Sequence, residues 1–445
     1  MKIRLVFTII ICKILRFLAG LMGRGSSWPG KIALKLYPDI LSHLQYPDTV
    51  IAVTGSNGKT STVEMIAHVL REGGMKVAYN KKGSNQTEGV TTFLLNDATL
   101  GGKIRSDAVL LESDERYMRR TFKFFHPRCL IITNLYRDQM TRNGHPEWIY
   151  DIIRRGLHDD MMLVLNADDP LVSKFGAGRK GTLYFGADHL EGDTTVNDSI
   201  YNDGKYCPIC MKPMEYEYYH YNHIGKYRCT SCGFARPDTR WSLTGVDLEE
   251  GKIVIDGKYK IPLTFNGIYH CYNTLAAFAA ADLAGIPKET AAKALGGYIL
   301  KSGRIVDFTL NKCEGRLLLS KHENSISYDR SIDVVVKDPR KVNVMFIVDA
   351  ISRKYFTSDS SWLWDIDFEK LNRDNVGKII LAGKYCNDLA VRFEAAGIAK
   401  EKTELFETVL EASLYAGNQT DYLYVITCFS DKEKILSLVK RKELS

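Results

Sequence analysis

Residues 54–62 read Thr-Gly-Ser-Asn-Gly-Lys-Thr-Ser-Thr, residue types suited to holding the phosphates of a nucleotide. Glycines at 55 and 58 permit a tight turn whose backbone N–H groups, backed by a helix N-terminus, point at an anion. From that turn Lys59 can reach the β- and γ-phosphates, and the Thr60 hydroxyl can bind Mg²⁺. A general P-loop has one more glycine five residues before Gly58, where this chain carries Val53. A glycine turn without a ligand is the competing reading. The strand before the turn and the helix after it argue against that reading.

Cys207-Pro-Ile-Cys210 and Cys229-Thr-Ser-Cys232 form a second constellation, C-x₂-C-x₁₈-C-x₂-C. Two short knuckles bring four thiolates into tetrahedral reach of Zn²⁺, and Gly233 eases the backbone after the second pair. A four-sulfur site has no open position, so the spacing predicts a structural zinc ribbon, inserted at about residues 200–240. Such ribbons often bind nucleic acid, but no stripe of Arg or Lys accompanies this one, and structural insertion is preferred. The other six cysteines stand singly among apolar neighbours and read as buried thiols in a reducing compartment.

The apolar run Ala108 to Leu111 ends in Glu112-Ser-Asp-Glu115. A carboxylate at the C-terminal end of a strand in an open α/β sheet sits at the ligand-binding edge, so Glu112 can hold Mg²⁺ together with Thr60. Taken alone, the stretch fits a solvated acidic turn equally well.

These residues need a scaffold. Thr49 to Val53 has the β-branched make-up of a buried parallel strand, and Val63, Ile66, Ala67 and Leu70 fall on one face of a helix ending at Gly73-Gly74. Further strand-like runs at 76–79, 108–112, 129–133 and 161–165 alternate with helical patterns, which predicts a parallel sheet covered by helices. Between about 190 and 260, tyrosine-rich short β pieces replace helices. After Asn266-Gly267 an Ala-rich helix is expected over 274–284. A second alternating series, with strands at 316–320, 342–348, 378–382 and 422–427, predicts a smaller α/β domain. The expected organisation is therefore α/β throughout. An N-terminal amphipathic segment spans 1–45, a parallel-sheet nucleotide domain with the inserted Cys₄ ribbon spans 46–304, and a Rossmann-like domain spans 305–445.

The 445 residues, 45% hydrophobic and 25% charged, suit a globular protein of two or three domains. The net charge of +7 reads as a mild excess spread along the chain, permitting an anionic ligand or a membrane surface but not arguing for nucleic acid. Residues 3–23 are strongly apolar, yet Arg4, Lys13 and Arg16 interrupt them and no convincing cleavage site follows. A spanning helix needs about 20 apolar residues with few charges. The segment is expected to be an amphipathic helix docked on the protein or resting on a membrane face.

The phosphate loop resembles the ATP loop of the Mur ligases and folylpolyglutamate synthases. Thr133-Asn-Leu-Tyr-Arg-Asp-Gln139 is similar to their strand-end Thr-Asn…Asp-His motif, with Gln139 in the histidine's place. Gly267-Ile-Tyr-His-Cys-Tyr-Asn273 resembles their adenine-contact helix, with Asn273 kept and His270 replacing the usual Asn, and Gly303-Arg304 fits their arginine that closes on ATP. The resemblance implies that Gly55, Asn57, Gly58, Lys59, Thr60, Ser61, Asn273 and Arg304 hold ATP, with Mg²⁺ on Thr60 and Glu112. No uridine-nucleotide domain precedes the loop. That feature, the Cys₄ pattern, Gly83-Ser-Asn85 and Ser361-Trp-Leu-Trp-Asp-Ile-Asp-Phe-Glu369 are similar to one branch, the MurT subunits of lipid II isoglutaminyl synthase.

That branch implies ATP-dependent amidation of the α-carboxylate of D-glutamate in the lipid II stem peptide, through an acyl phosphate and with Lys59 catalytic. Ammonia would come from a separate GatD-type glutaminase, bound as a heterodimer at the cytoplasmic face of the membrane. Asp349, directly after the 342–348 strand, corresponds to the aspartate lent to the partner's Cys–His pair. The chain departs from the branch at 322–325 and 352–357, although Lys321 is kept. Two other readings stand beside this one: a partner-independent amino-acid ligase of polyglutamate type, and a non-catalytic subunit that binds ATP. For Trp362 and Trp364, packing is preferred over substrate contact.

Overall fold

The computed structural model describes residues 2–21, 27–80, 85–139, 143–197, 199–263, 267–299, 305–350 and 359–441. The chain falls into two compact units, one of residues 1–136, 146–198 and 202–300, the other of residues 137–145, 199–201 and 301–445.

The first unit is built on a nine-stranded sheet. Its strands are β1 (Thr49–Thr54), β2 (Val77–Tyr79), β3 (Ala108–Glu112), β4 (Cys129–Ile132), β5 (Met162–Asn166), β6 (Thr182–Ala187), β9 (Trp241–Asp247), β10 (Lys252–Ile255) and β11 (Tyr259–Pro262). The spatial order is β11-β10-β9-β6-β5-β4-β1-β3-β2. Strands β1 to β6 and β9 pair in parallel, whereas β9, β10 and β11 form an antiparallel meander at one edge. The hairpin of β7 (Glu215–Tyr221) and β8 (Ile224–Arg228) stands as a separate two-stranded sheet between β6 and β9 in sequence. Strand β1 is buried along nearly its whole length, as expected of a strand covered on both faces.

Helices α1 (Lys2–Leu21), α2 (Trp28–Leu36) and α4 (Thr87–Asp97) pack together, and Leu5, Ile9, Cys12, Ala33 and Leu94 join Val50 and Ala52 in one core. Helix α1 lies against the unit as an amphipathic helix. The Arg4 guanidinium caps α2 by donating to the Leu36 carbonyl at 2.7 and 3.0 Å, and Lys13 Nζ donates to the Ala98 carbonyl at 2.6 Å. Helix α3 (Lys59–Glu72) packs instead with the helices Ile268–Leu283 and Lys288–Gly296. The Ala-rich helix thus begins at Ile268, before the expected 274. Gly267, extended at its N-cap, starts it, and the aromatic and polar opening Tyr-His-Cys-Tyr-Asn hid the first turns. That helix is buried on nearly all sides, which leaves little amphipathic signal in its sequence.

The second unit carries a seven-stranded sheet of β12 (Ile305–Leu310), β13 (Cys313–Ser320), β14 (Val342–Ile347), β15 (Val376–Ala382), β16 (Thr403–Phe406), β17 (Tyr422–Cys428) and β18 (Lys440–Arg441). The order is β16-β15-β14-β17-β13-β12-β18, parallel from β16 to β13 and antiparallel at the β12–β18 edge. Two cores fill its two faces. Tyr328, Ile332, Phe368 and Phe393 lie in one, and Val409, Ala412 and Ile435 in the other. Trp362 is buried beside Tyr328, ring centroids 5.3 Å apart, so packing accounts for it. Trp364 departs from the packing expectation: it is half-exposed, with the Arg392 guanidinium 5.5 Å from its ring centre.

Candidate active site

Strand β1 passes into α3 through a loop that needs glycine twice. Gly55 and Gly58 have φ of 129° and 84°, and a β-carbon on either would collide with Thr133 Oγ1 or with the Asn273 amide, respectively. The end of β4 locks the loop. Asn134 Oδ1 accepts the Asn57 N–H at 2.8 Å, and Asn134 Nδ2 donates back to the Asn57 carbonyl at 3.1 Å. Thr133 Oγ1 donates to the same carbonyl at 2.8 Å, and Ser56 Oγ accepts the Tyr136 N–H at 2.9 Å. Because α3 begins at Lys59, the N–H groups of its first turn, Ser61 included, lack partners within the helix and suit a phosphate.

Two acid–base contacts complete this edge. Thr60 Oγ1 donates to Glu112 Oε2 at 2.9 Å, with the Glu112 backbone held on both sides by the Asn80 amide at 2.8 and 2.9 Å. Hydroxyl and carboxylate converge as a pair of hard oxygen donors, which fits a magnesium ion. Lys59 Nζ lies 2.7 Å from Glu115 Oε1 and also donates to the Gly55 carbonyl, while Glu115 accepts the Gly55 N–H at 3.2 Å. The Lys59 and Glu115 side chains are only 12% and 7% exposed, so this ion pair is a buried one. Asn273 brings its amide against Gly58, and His270, one turn earlier on the same helix, is buried, which lowers its imidazole to about 4 and keeps it neutral near pH 7. The structure therefore brings together Gly55, Asn57, Gly58, Lys59, Thr60, Ser61, Glu112 and Asn273. Arg304, with the departing segment 352–357, lies outside the described residues.

The cysteine knuckles flank the β7–β8 hairpin. Cys207 Sγ and Cys232 Sγ are 3.6 Å apart, Cys210 Sγ and Cys229 Sγ 3.5 Å, and all four sulfurs lie within 4.8 Å of one another. A tetrahedral zinc with bonds near 2.3 Å needs sulfur–sulfur edges of about 3.7 Å, so the set fits. The knuckles share one geometry. The Met211 N–H donates to the Cys207 carbonyl and the Gly233 N–H to the Cys229 carbonyl, and both donors have positive φ. The hairpin is tied back to the sheet through Asp168, which accepts from the Ala187 N–H and the Tyr272 hydroxyl, each at 2.6 Å, and from the Arg236 guanidinium.

In the second unit Asp349 follows the C-terminal end of β14. Its Oδ1 accepts the Lys384 N–H at 2.9 Å and its Oδ2 pairs with Lys434, which also lies 3.0 Å from Asp431. Burial pushes the Asp349 carboxyl up, but the Lys434 ammonium and the Lys384 N–H outweigh it and hold the group below its ordinary value. The segment at 321–325 meets the Arg-Asp-Gln motif in this same unit. Lys321 pairs with Asp138, Asn324 Nδ2 donates to Asp138 Oδ1 at 3.0 Å, and the Gln139 N–H donates to the Glu323 carbonyl at 2.8 Å. Asn324 also caps the helix Ser325–Lys337. Sequence reasoning left Glu115, Asn134, Asn80 and Lys434 out of the site. The acidic run after β3 and the Thr-Asn pair after β4 carried a signal for the first two. Nothing local marked Asn80 or Lys434.

A phosphate loop between a buried parallel strand and a helix, locked by a strand-end Thr-Asn pair, is the arrangement expected of a Mur-type ligase. The Mur ligase middle domain is matched over residues 53–230 and the MurT ligase C-terminal domain over residues 321–431. The chain is 30% identical over 439 residues to the MurT subunit of lipid II isoglutaminyl synthase (glutamine-hydrolyzing) from Streptococcus pneumoniae, covering 96% of this chain and 95% of that one. It is 28% identical over 377 residues to the subunit of the same name from Staphylococcus aureus, covering 84% of each. The chain belongs to the MurT family and is an ATP-dependent ligase. Among solved structures, a pseudomurein peptide ligase type C from Methanothermus fervidus shares its fold with a TM-score of 0.67 at 21% identity, covering 90% of this chain and 80% of that one. MurF from Acinetobacter baumannii does so with a TM-score of 0.61 at 16% identity, covering 92% and 80%.

Proposed function

We propose that this chain is the synthetase subunit of a lipid II isoglutaminyl synthase. It uses ATP to activate the α-carboxylate of D-glutamate in the lipid II stem peptide as an acyl phosphate, releasing ADP, and ammonia then displaces the phosphate to give the amide. The observation that carries the reading is the Thr60–Glu112 contact beside the buried Lys59 ammonium, a place for the charge of a transferring phosphoryl group. Mg²⁺ held by Thr60 and Glu112 would supply the further positive charge. Lys59 is positioned through Glu115, Asn134 holds the loop in its binding shape, and Asn273 approaches the loop from the adenine-contact helix.

Ammonia is supplied by a glutaminase subunit of GatD type. Asp349 serves that partner by orienting a histidine, for which an ionised carboxylate is needed, and the Lys434 pair favours that form. The Cys₄ cluster holds a structural Zn²⁺ and takes no part in turnover. The subunit works on the cytoplasmic side, at the membrane face where a lipid-linked acceptor is found. Among the described residues no helix is long and apolar enough to cross a membrane.

The test is reconstitution: the chain, a glutaminase of GatD type, lipid II, ATP and glutamine, with the amidated stem peptide read by mass spectrometry. Amide formation dependent on both ATP and glutamine supports the reading. ATP hydrolysis stimulated by a free amino acid, with ligation and no glutaminase, would replace it with the partner-independent ligase.

A further inference from the structure

The charge of this chain is not spread along it. Residues 1–38 contain seven Lys and Arg and no Asp or Glu, and the other 53 Lys and Arg are matched by 53 Asp and Glu. The entire net charge of +7 therefore belongs to α1, α2 and their connection.

The same segment exposes an apolar stripe. Ile3, Phe7, Ile10, Ile14, Phe17 and Leu21 recur at alternating steps of four and three, so at 100° per residue they share one face of α1. They are exposed, Ile3 at 85%, Phe17 at 69% and Leu21 at 74%, while Leu5, Ile9 and Cys12 on the opposite face enter the core. Arg4 lies on one flank of the stripe and Lys2 and Lys13 on the other. Trp28, at the first position of α2, is also half-exposed, and Lys31 and Lys35 of that helix are exposed.

We infer that this face of α1 is a docking surface for an anionic lipid bilayer, on which the helix lies in the plane of the headgroups. Its own core contacts keep the helix on the protein, so it rests on the membrane without entering the hydrocarbon as a span. The charge selects the occupant. A stripe with this spacing is also the seam of a coiled coil, but the positions flanking such a seam carry Arg4 and Lys13, and a second copy would bring the same sign to meet them. A bilayer with anionic headgroups supplies the apolar depth and the opposite charge together. The inference rests on the proposed lipid-linked acceptor only for why such a surface is useful. Its test uses no substrate.

The full chain is mixed with vesicles of phosphatidylglycerol and phosphatidylcholine, or of phosphatidylcholine alone, and binding is read by flotation. The expected result is binding to the anionic vesicles that falls sharply at about 0.5 M salt. A further drop of about tenfold or more is expected for Phe7→Glu/Phe17→Glu, with an unchanged circular dichroism melt because both side chains are exposed. Absent binding by the parent chain, or equal binding by parent and variant, overturns the inference. So does a dimer that the double substitution dissociates, with no vesicle binding, which hands the stripe to a second copy. Failure of amidation on detergent-dispersed lipid II, with vesicle binding intact, counts against the proposed reaction and leaves the surface standing.

Discussion

The Lys59 ammonium lies 2.7 Å from the Glu115 carboxylate in a site where both side chains are nearly closed to solvent. The acid lies one turn beyond the end of β3 and reaches back to the phosphate loop, also accepting the Gly55 N–H. A buried cation in such a place needs a partner, and losing one member of the pair is costly. Lys59→Ala is expected to lower ATP-dependent product formation by about a thousandfold with either glutamine or ammonia. Glu115→Gln keeps the shape and loses the charge, with an expected drop of about tenfold in kcat. Steady-state kinetics on the reconstituted pair measures both.

Gly58 has no room for a side chain and sits at φ 84°. Gly58→Ala should cost about 2 kcal/mol in urea unfolding and remove most ATP binding. Trimming the opposing amide as well, in Gly58→Ala/Asn273→Ala, should restore part of the stability, because the collision is gone and only the backbone strain remains. No recovery in the double variant would show that the Asn273 contact is not the obstacle.

His270 is buried and titrates near 4 in the folded chain, whereas the unfolded chain takes up that proton near 6.5. Between those values the unfolded state binds more protons, so stability rises with pH across the window and is lost as pH falls below about 6.5. His270→Asn, the residue usual at this place in the Mur ligases, should flatten that dependence. Relative to pH 7, it should remove about 2 kcal/mol of destabilisation at pH 5 in chemical denaturation. Parallel pH curves for the two proteins would assign the acid sensitivity to other groups.

Asp349→Asn keeps the hydrogen bond from the Lys384 N–H and removes the charge paired with Lys434. Turnover with free ammonia should be unchanged, and turnover with glutamine should fall by about a hundredfold or more. Comparing the two nitrogen sources on one protein preparation separates a lost triad member from a damaged fold.

Metal content checks the cysteine cluster. The purified chain should carry one zinc by elemental analysis, and Cys207→Ser/Cys229→Ser none. Limited proteolysis of that variant should cut first between about residues 200 and 240, the segment the four thiolates close. Uncut knuckles without metal would mean that the hairpin holds itself.

The phosphate loop and the knuckles were legible because their chemistry is local. Glycine, lysine and threonine at fixed spacing, or paired cysteines, leave few alternatives. The parallel core of the first sheet was legible for a similar reason, since strands covered on both faces read as unbroken apolar runs such as Val50 to Val53. Asn80 and Lys434 were not legible, because each acts on a group far along the chain and only folding brings them together. The antiparallel meander of β9 to β11 left only short β pieces in the sequence, and the aromatic and polar residues after Gly267 hid the true start of its helix. The charge was misread for a different reason: an overall excess says nothing of its placement until it is counted by segment.

Asp168 has one further consequence. Its carboxylate is shared by β6, by Arg236 after the second knuckle and by Tyr272, the neighbour of Asn273 on the helix that meets the phosphate loop. Opening any one of the three strands the same buried charge, so they are expected to fray together rather than in turn. In hydrogen exchange, the amides of the cysteine hairpin and of the first turns of that helix should therefore exchange as one cooperative block.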